Sequence, residues 1–567
     1  MEPELPQRPR QPNRCAPAGG MAAAGVARTG GTGDAALGDR ERSAVRDEVL
    51  NALRERLVAR IPGSPWIGWL ATAWVALIAG ILRGFHFDVP TGIMFDETYY
   101  AKEGEDLLQH GVEWARDTNT PAFVVHPPLG KWMIAAGIWG SEKLKFLGIP
   151  GGDNSYGWRI SCVVAGVISV IVITRTARRL FRSNVLGCAA GLLMALDGFH
   201  FVLSRVAILD IFVLFWVLIA FACLVLDRDH RRKRWLRAME DGIDPAQTGR
   251  RSRPPFSWRW VPWWRYAAAI SLGLACGVKW SAMFYIPFFL LLVVVWELGA
   301  RKAVGVRHPW RDTFIDEIWS VIAFPLVAIG AYLSTWAGWF LSDDGWKRHY
   351  FANELGRSEP PIIGPLRNLI YYHIDVYRFH DTLTSHHTYQ SWPWQWLLLG
   401  RPVAIYYGND PSCGAPSCAS EIVLLGTPLL WWSFIPALVA LAWFGISRRD
   451  WRAFAIGGGA AMGILPWFWW ELSSRTMFYF YASPAEPFLI LAVVYVLGAV
   501  VNSPSMGRPG ATLTVAQEDR RLYGTIFAAI YVIAIALCFW YFWPLYTAQS
   551  IPYDDWWKHL WLGNRWN

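Results

Sequence analysis

Two adjacent carboxylates, Asp96 and Glu97, stand in the stretch GIMFDETYYAKE, residues 92–103. Neighbouring residues on a helix or a strand point in different directions, so these acids are not expected to share one proton as a hydrolase dyad does. A glycoside hydrolase needs two opposed carboxylates, one of which protonates a poor leaving group. The arrangement instead favours a group transfer in which the leaving group is already an anion and one acid serves as the base.

Basic side chains elsewhere in the chain are candidates to hold that anion. Arg205 lies in LDGFHFVLSRVAILD between Asp197 and Asp210, and a guanidinium binds phosphate through two parallel hydrogen bonds. An ion pair with either of these acids is the structural alternative. Lys279 lies at a predicted tight turn and is a second candidate, although a lysine at such a place also reaches membrane headgroups without any role in binding.

Five further residues are candidates on weaker grounds. His126 precedes two prolines, which stiffen the chain, and Lys131 opens a predicted helix directly after them. His386 and His387 lie in a polar loop, and Arg475 follows the stretch WFWWELSS. For the three histidines and for Arg475, an ordinary structural or interfacial role stays open.

The elements that must position these residues are membrane helices. Of the 567 residues, 54% are hydrophobic, 17% are charged and 36 are Trp, and the mean hydropathy is +0.23. Runs of about twenty apolar residues recur along the chain, which predicts an all-α polytopic membrane protein. The net charge of +9 does not indicate nucleic-acid binding, because most of the basic excess lies in short loops between apolar runs, where it sets membrane orientation.

About eleven membrane spans are predicted. They lie near 66–83, 157–174, 185–203, 206–226, 263–280, 281–298, 316–340, 421–445, 453–470, 477–500 and 523–545. The apolar stretch 131–147 is left out, because it is short and carries Glu142, Lys143 and Lys145. Counting it as a span would place the basic stretch RTARRLFR, residues 175–182, outside and violate the positive-inside rule. It is predicted to be an amphipathic interfacial helix in the first outer loop.

This arrangement places every basic cluster, including the one at Arg508, Arg520 and Arg521, on the cytoplasmic side. Asp96 and Glu97 then emerge on the outer side. The predicted organisation, in chain order, is a cytoplasmic, mostly disordered N-terminus at 1–60, an N-terminal catalytic membrane module at 61–340, an extracytoplasmic loop at 341–420, a C-terminal four-helix membrane region at 421–545 and an extracytoplasmic tail at 546–567.

Two cysteines, Cys413 and Cys418, flank a Gly/Pro turn in a polar loop. A disulfide between them requires an extracytoplasmic loop, and their pairing stays open. Their spacing does not suggest a zinc site, because no second Cys/His pair accompanies them. A hard cation such as Mg²⁺ or Mn²⁺, held by Asp96, Glu97 and distant carboxylates, is an open alternative; no cofactor is firmly predicted.

Five motifs resemble those of the protein O-mannosyltransferase family of GT-C glycosyltransferases, in its bacterial, actinobacterial-type form. They are FDETYYAKE, HPPLGKW, LDGFHFVLSRVAILD, GVKWSAMFY and HHTYQSWPWQWLLLGRP. The resemblance covers about residues 60 to 545, and the five motifs occur in the family's order. The large β-rich insertion of eukaryotic members is missing from the outer loop, as in bacterial members.

The resemblance implies inverting transfer of mannose from polyprenyl-phosphate-mannose to Ser or Thr of secreted proteins. Asp96 matches the family's catalytic base, and Glu97 matches the second acid, which is expected to position the acceptor. Arg205 and Lys279 match residues near the donor phosphate. The family's HPPLGK motif, which holds His126 and Lys131, is expected to shape the floor of the site.

The resemblance also sets the partners and the alternatives. The expected location is the plasma membrane, with the N-terminus cytoplasmic and the active site outside, and the secretion translocon is a conceivable supplier of unfolded acceptor. A GT-C transferase with a lipid or cell-wall glycan acceptor is the second hypothesis. A transporter of the lipid-linked sugar is the third, and it is weakened by the lack of an internal repeat and by the gathering of charged residues at one surface.

Overall fold

The described part of the chain is almost entirely helical. The computed structural model describes residues 47–58, 61, 64–148, 154–247, 254, 257–408, 411–501 and 515–566. The chain divides into two compact units at Leu53. The described residues of the first unit, 47–52, are helical, and the second unit contains the membrane helices. Of the segment 1–60 that was predicted to be mostly disordered, residues 1–46, 59 and 60 lie outside the described residues, and so does Arg508.

Twenty-one helices follow residue 64 in the described ranges. They are α1 Pro65–Gly84, α2 Glu97–His110, α3 Leu129–Lys143, α4 Ser155–Phe181, α5 Asn184–Ala195, α6 Gly198–Leu203, α7 Asp210–Glu240, α8 Trp263–Cys276, α9 Tyr285–Val304, α10 Pro309–Thr335, α11 Ala337–Leu341, α12 Tyr350–Asn353, α13 Ile363–Asp381, α14 Pro393–Trp396, α15 Pro428–Arg448, α16 Trp451–Ile464, α17 Trp467–Leu472, α18 Glu486–Val501, α19 Val515–Tyr541, α20 Trp543–Thr547 and α21 Tyr553–His559.

Two small antiparallel sheets join the helices in the described part of the chain. Strands β1 (Trp114–Ala115) and β2 (Thr120–Pro121) form a hairpin, and β4 (Cys418–Leu424) lies between β3 (Val403–Gly408) and β5 (Ile551–Pro552). Cys413 and Cys418 form a disulfide in the β3–β4 connection, which answers the question that the sequence left open.

Nine helical segments of the described residues are long and apolar enough to cross a membrane, so the chain is a multi-pass membrane protein. They coincide with nine of the eleven predicted spans. The other two predictions fall on α5 with α6 and on α8, where α5 has 12 residues and α8 has 14. Since about 20 residues are needed to cross the hydrocarbon core, the predicted number of eleven is not confirmed. The charged stretch 131–147 falls on the 15-residue helix α3, which is not among the nine.

The predicted start of the eighth span, at residue 421, is wrong. Residues 418–424 form β4, paired with β3, and α15 begins only at Pro428. Proline has no N–H to lose at the first turn of a helix and its φ angle is already helical, so it sets the start there. The apolar run IVLL was counted with the helix because short apolar runs in a strand and in a helix are alike in sequence.

Close helix contacts hold the first outer loop against the membrane helices. A Cβ on Gly104 of α2 would lie 3.1 Å from Ile134 Cγ2 in α3, and a Cβ on Gly137 of α3 would lie 2.8 Å from the carbonyl oxygen of Gly157 in α4. These two glycines therefore allow α2, α3 and α4 to stack closely, and this stack presents the start of α2 to the rest of the molecule.

Buried charges fix α7 against α8. The Arg265 guanidinium on α8 contacts Asp227 on α7 at 3.0 Å, Glu297 on α9 at 2.9 Å and Glu317 on α10 at 2.5 Å. All four side chains are buried. A buried cation with three carboxylate partners is costly to separate from them, so the network holds these four helices together. At their opposite ends, α7 and α8 deliver Asp210 and Lys279 to the site described next.

Candidate active site

Asp96 is the residue immediately before α2 and is half-buried. Its carboxylate makes no hydrogen bond or ion pair with a described residue. Burial raises the pKa of Asp96 to about 6, while the charge of nearby Lys279 acts to lower it. A carboxyl group with this pKa is ionised at neutral pH and is more basic than an ordinary aspartate, which suits a proton acceptor.

Glu97, the neighbouring acid, is fully enclosed. Its two oxygens accept hydrogen bonds from Arg159 at 2.7 and 2.8 Å, and the backbone N–H groups of Met94 and Ala207 donate to it at 3.0 and 2.9 Å. Neither Glu97 nor Arg159 has any solvent exposure. Glu97 therefore ties the first outer loop to α4 and to the turn before α7, and it has no free oxygen to offer a substrate.

Lys279 and Asp210 form an ion pair at the start of α7. The Lys279 Nζ lies 2.6 Å from the Asp210 Oδ2, and both side chains are buried. The ammonium group also lies over the rings of Phe480 and Tyr481, 5.4 and 5.6 Å from their centroids. This places a charge-paired cation within electrostatic range of Asp96.

A cavity of about 250 Å³ opens beside Lys279. Its walls are mostly aromatic, with several cationic or imidazole groups; they include His126, Lys279, Trp280, Phe284, Tyr377, His380, Trp467, Trp470, Arg475 and Tyr481. Three of the predicted site residues, His126, Lys279 and Arg475, thus meet at one cavity. Aromatic walls with a few convergent charges are typical of a site for an amphipathic ligand.

Arg475 is held in the cavity wall by His380. Its Nε donates to the His380 carbonyl oxygen at 3.0 Å, and its Nη2 lies 3.2 Å from the His380 Nδ1. The rings of His126 and His380 lie 5.4 Å apart. Burial, reinforced by the neighbouring cations, lowers the pKa of His380 to about 4 and that of His126 well below its usual value. Both imidazoles are therefore neutral at pH 7, and the positive charge of the wall comes from Lys279 and Arg475.

Arg205 lies apart from this cavity. Its Nη2 donates to the His86 carbonyl oxygen at 2.7 Å, and its Cζ lies 4.8 Å from the Phe201 ring centroid. It forms no ion pair with Asp197 or Asp210, so the structural alternative for Arg205 does not hold. Its Nη1 is buried and has no hydrogen-bond partner among the described residues, which leaves a donor for an anion.

Lys131 and the two loop histidines also lie away from the cavity wall. Lys131 is fully buried and pairs with Glu113 at 2.5 Å and with Glu103 at 3.4 Å. It thus fastens α2 and α3 together beneath the site. His386 and His387 are exposed, and the His387 ring lies against Phe478, with centroids 5.0 Å apart.

The carboxylates near the cavity do not fit a hard-cation site. Glu97 is committed to Arg159, and Asp210 is committed to Lys279, which leaves Asp96 alone. Within the described ranges, no group of three or more His, Cys, Asp or Glu side chains is arranged to hold a metal ion.

Sequence reasoning missed three functional neighbours: Arg159, His380 and the role of Asp210 as partner of Lys279. A signal existed for Arg159, because a lone arginine near the start of an apolar run is costly unless it has a partner. His380 lies only six residues before His386, at the end of α13, within the segment 341–420 that was predicted to be one extracytoplasmic loop. Nothing local in the sequence indicated which of these histidines faces inward.

The family models match almost all of the membrane region. The model described as dolichyl-phosphate-mannose-protein mannosyltransferase matches residues 73–337, and the model of the C-terminal four-span region of protein O-mannosyltransferase matches residues 365–566. A protein of Mycolicibacterium smegmatis named polyprenol-phosphate-mannose–protein mannosyltransferase is 37% identical, over 87% of this chain and 92% of its own length. The chain belongs to the protein O-mannosyltransferase family.

Other members of the family agree with this assignment. A Mycobacterium tuberculosis protein of the same name is 35% identical, over 87% of this chain and 91% of its own length. The solved Saccharomyces cerevisiae Pmt1–Pmt2 complex bound to the sugar donor has a chain that matches with a TM-score of 0.64 at 14% identity, covering 91% of this chain and 94% of that one. The GT-C fold of the mannosyltransferases is thus present.

Proposed function

We propose that this protein transfers mannose from polyprenyl-phosphate-mannose to Ser or Thr hydroxyls of secreted proteins, with Asp96 as the catalytic base. One observation carries the assignment of the base. Asp96 is an unpaired, half-buried carboxylate within electrostatic range of Lys279, which lines the aromatic cavity, whereas the adjacent Glu97 has no free oxygen. The names of the relatives supply the donor and the protein acceptor.

The reaction is a single displacement with inversion at the anomeric carbon. Asp96 accepts the proton of the acceptor hydroxyl as its oxygen attacks that carbon. The bond between the carbon and the phosphate oxygen breaks, and polyprenyl phosphate leaves as an anion. Lys279 and Arg475 at the cavity wall are placed to stabilise the developing negative charge, as fixed cations do in other phosphate-leaving reactions. Arg205, whose buried Nη1 has no partner among the described residues, is proposed as a second phosphate ligand outside the cavity wall.

The aromatic walls fit the same donor. The isoprenoid chain next to the phosphate is apolar, and the rings of Trp280, Trp467 and Trp470 give it an apolar surface. A lipid-phosphate sugar requires cations that contact its phosphate and apolar rings that contact its hydrocarbon chain, and this cavity wall has both.

The proposed location is the plasma membrane, with this cavity at the outer face. The positive-inside distribution of Lys and Arg supports that orientation, and the cavity lies at the end of the helices opposite to the basic clusters. An acceptor chain delivered unfolded by the secretion translocon would meet the cavity as it emerges. Cross-linking of the two in membranes would test this partnership.

The function is tested with membranes that contain the protein. Radiolabelled mannose in polyprenyl-phosphate-mannose is offered together with a Ser/Thr/Pro-rich peptide, and label is followed into peptide and into glycolipid. Wild type is expected to label the peptide. Asp96→Asn is expected to reduce the rate by about 10² to 10⁴-fold, with Asp117→Asn, an exposed acid of the same loop, as the matched control at full activity.

Two results would overturn the proposal. Label that enters a glycolipid and never the peptide would assign a lipid or glycan acceptor. Full activity of Asp96→Asn would remove Asp96 from the role of base. Parallel assays with EDTA and with added Mg²⁺ or Mn²⁺ test whether a divalent cation takes part.

A further inference from the structure

A second cavity lies at the opposite end of the membrane helices. Arg159, near the start of α4, belongs to the pocket of Glu97, and Arg179 lies 20 residues later on the same helix, which corresponds to about 30 Å along its axis. Asp210 and Arg228 stand in the same relation on α7. The second cavity has a volume of about 520 Å³.

The cavity is strongly basic. Six arginines line it: Arg179 and Arg182 at the end of α4, Arg228 within α7, Arg448 and Arg449 at the end of α15, and Arg452 at the start of α16. Two acids, Asp229 and Asp450, also line it. Arg179 pairs with Asp229 at 2.8 Å, and Arg452 pairs with Asp450 at 2.6 Å, so both acids are already engaged by neighbouring arginines.

Three of the arginines have no acidic partner. Arg182, Arg448 and Arg449 form no ion pair with a carboxylate in the described ranges. Partial desolvation in the cavity, together with the charge of Arg452, lowers the pKa of Arg182. The negative end of the helix dipole favours basic side chains at the C-terminal ends of helices, which explains why these residues are basic. The helix dipole does not explain why three unpaired guanidinium groups meet in one cavity.

The floor of the cavity is apolar. Leu180, Val225 and Trp451 line it, and the Arg228 guanidinium stacks on Trp451, with its Cζ 3.6 Å from the ring centroid. Cations above an apolar floor, at the ends of spanning helices, match a ligand that has an anionic head and a hydrocarbon body.

We propose that this cavity binds the phosphate group of an anionic membrane phospholipid, at the face opposite the active site. Arginine is suited to phosphate by its two parallel N–H donors. The lipid would join the two matched parts of the chain, since α4 and α7 lie in the first and α15 and α16 in the second. This site is independent of the proposed transferase reaction.

The test uses the purified full-length protein in neutral detergent and dioleoyl-phosphatidylglycerol as the probe, with binding followed by native mass spectrometry. The site variant is Arg182→Gln/Arg448→Gln/Arg449→Gln. The control variant, Arg307→Gln/Arg520→Gln/Arg521→Gln, removes three equally exposed arginines outside the cavity. Each arginine near an anionic lipid contributes about fivefold in affinity, so the site variant is expected to bind about a hundredfold more weakly, and the control is expected to stay within about threefold of wild type.

A parallel titration with inorganic phosphate separates the two sources of the anion. Phosphatidylglycerol binding that depends on the three arginines, without phosphate binding, supports the lipid. Phosphate binding with the same dependence supports a site for the free anion and overturns the lipid. Equal losses in both variants, or an undiminished affinity of the site variant, would overturn the site itself. Mannosyl transfer by the site variant is measured separately, so failure here leaves the active site untouched.

Discussion

The surroundings of Asp96 and those of Glu97 are two regions of the first outer loop that differ in almost every physical respect. Asp96 has no hydrogen-bond or ion-pair partner among the described residues and lies within electrostatic range of Lys279, whereas both oxygens of Glu97 are hydrogen-bonded and sealed from water. The difference teaches that an adjacent pair of acids can divide its work. One carboxylate is kept available for chemistry, because the other fixes the loop on which it stands.

The largest expected difference between the two regions is in the effect of a substitution on the free energy of unfolding. Glu97→Gln leaves the Arg159 guanidinium buried without its counter-charge, which costs about 3–5 kcal/mol of unfolding free energy. Asp96→Asn removes a carboxylate whose pKa is raised by burial, so its ionised form is disfavoured in the folded protein, and the unfolding temperature should stay unchanged or rise. Thermal unfolding in detergent measures both variants.

The exposed pair Glu142–Lys145 provides the control for that measurement. Its side chains are 47% and 52% exposed, so Glu142→Gln should cost no more than about 1 kcal/mol. If Glu97→Gln proved as mild as Glu142→Gln, the structural role of Glu97 would be wrong.

The next effect concerns the cation beside Asp96. Lys279→Gln removes the proposed charge-assisted contact with the leaving phosphate, worth about 1.5–3 kcal/mol, and should lower kcat/KM for the donor about 10 to 100-fold. Exposed Lys143, at the end of α3, gives the control Lys143→Gln. A Lys279→Gln enzyme with an unchanged kcat/KM for the donor would show that the ammonium group of Lys279 has no role beyond its ion pair with Asp210.

A smaller effect follows from pH. The pKa of Asp96 is about 6, and the base must be ionised, so kcat/KM should be constant above pH 7 and fall about tenfold per pH unit below 6. His380, with a pKa of about 4, stays neutral across this range. If Asp96 is the base, the rise of kcat/KM with pH should persist in Asp96→Glu, with its midpoint at a different pH. A pH profile of kcat/KM that is the same in wild type and Asp96→Glu would contradict the assignment.

The smallest effect is expected at the exposed histidines. His386→Ala/His387→Ala should change kcat/KM by no more than about twofold, because surface substitutions rarely perturb a site that they do not contact. His380→Ala is the comparison, since it removes the side chain that contacts Arg475. Steady-state rates of the two variants measure the contrast. A large loss of kcat/KM in the double variant would show that His386 and His387 take part in substrate binding.

Much of the fold could be predicted from the sequence, because each long apolar run reports a membrane helix by itself. The short helices α5 and α8 could not be told from spans, since their flanking residues are mostly apolar. The start of α15 was missed for a similar reason: the apolar run 422–425, which ends β4, is separated from the helix only by Gly426 and Thr427.

The sequence was enough to identify several residues of the site, but not to identify which residues contact each other. Asp96, Lys279, His126 and Arg475 were found from charge and motif, yet the pairs that define their surroundings join residues far apart in sequence. Lys279 meets Asp210 across 69 positions, and Arg159 meets Glu97 across 62. Such pairing depends on helix packing, which no local pattern reports.

The size of the cavity beside Lys279 has a kinetic consequence. Its volume of about 250 Å³ is below the roughly 300–1,000 Å³ of pockets that enclose a drug-sized ligand, so it holds the sugar phosphate with the adjoining end of the prenyl chain, and the rest of that chain stays in the bilayer. The enzyme then samples its donor in two dimensions. Its turnover should follow the mole fraction of donor among the membrane lipids, and dilution with inert phospholipid at constant total donor should slow it.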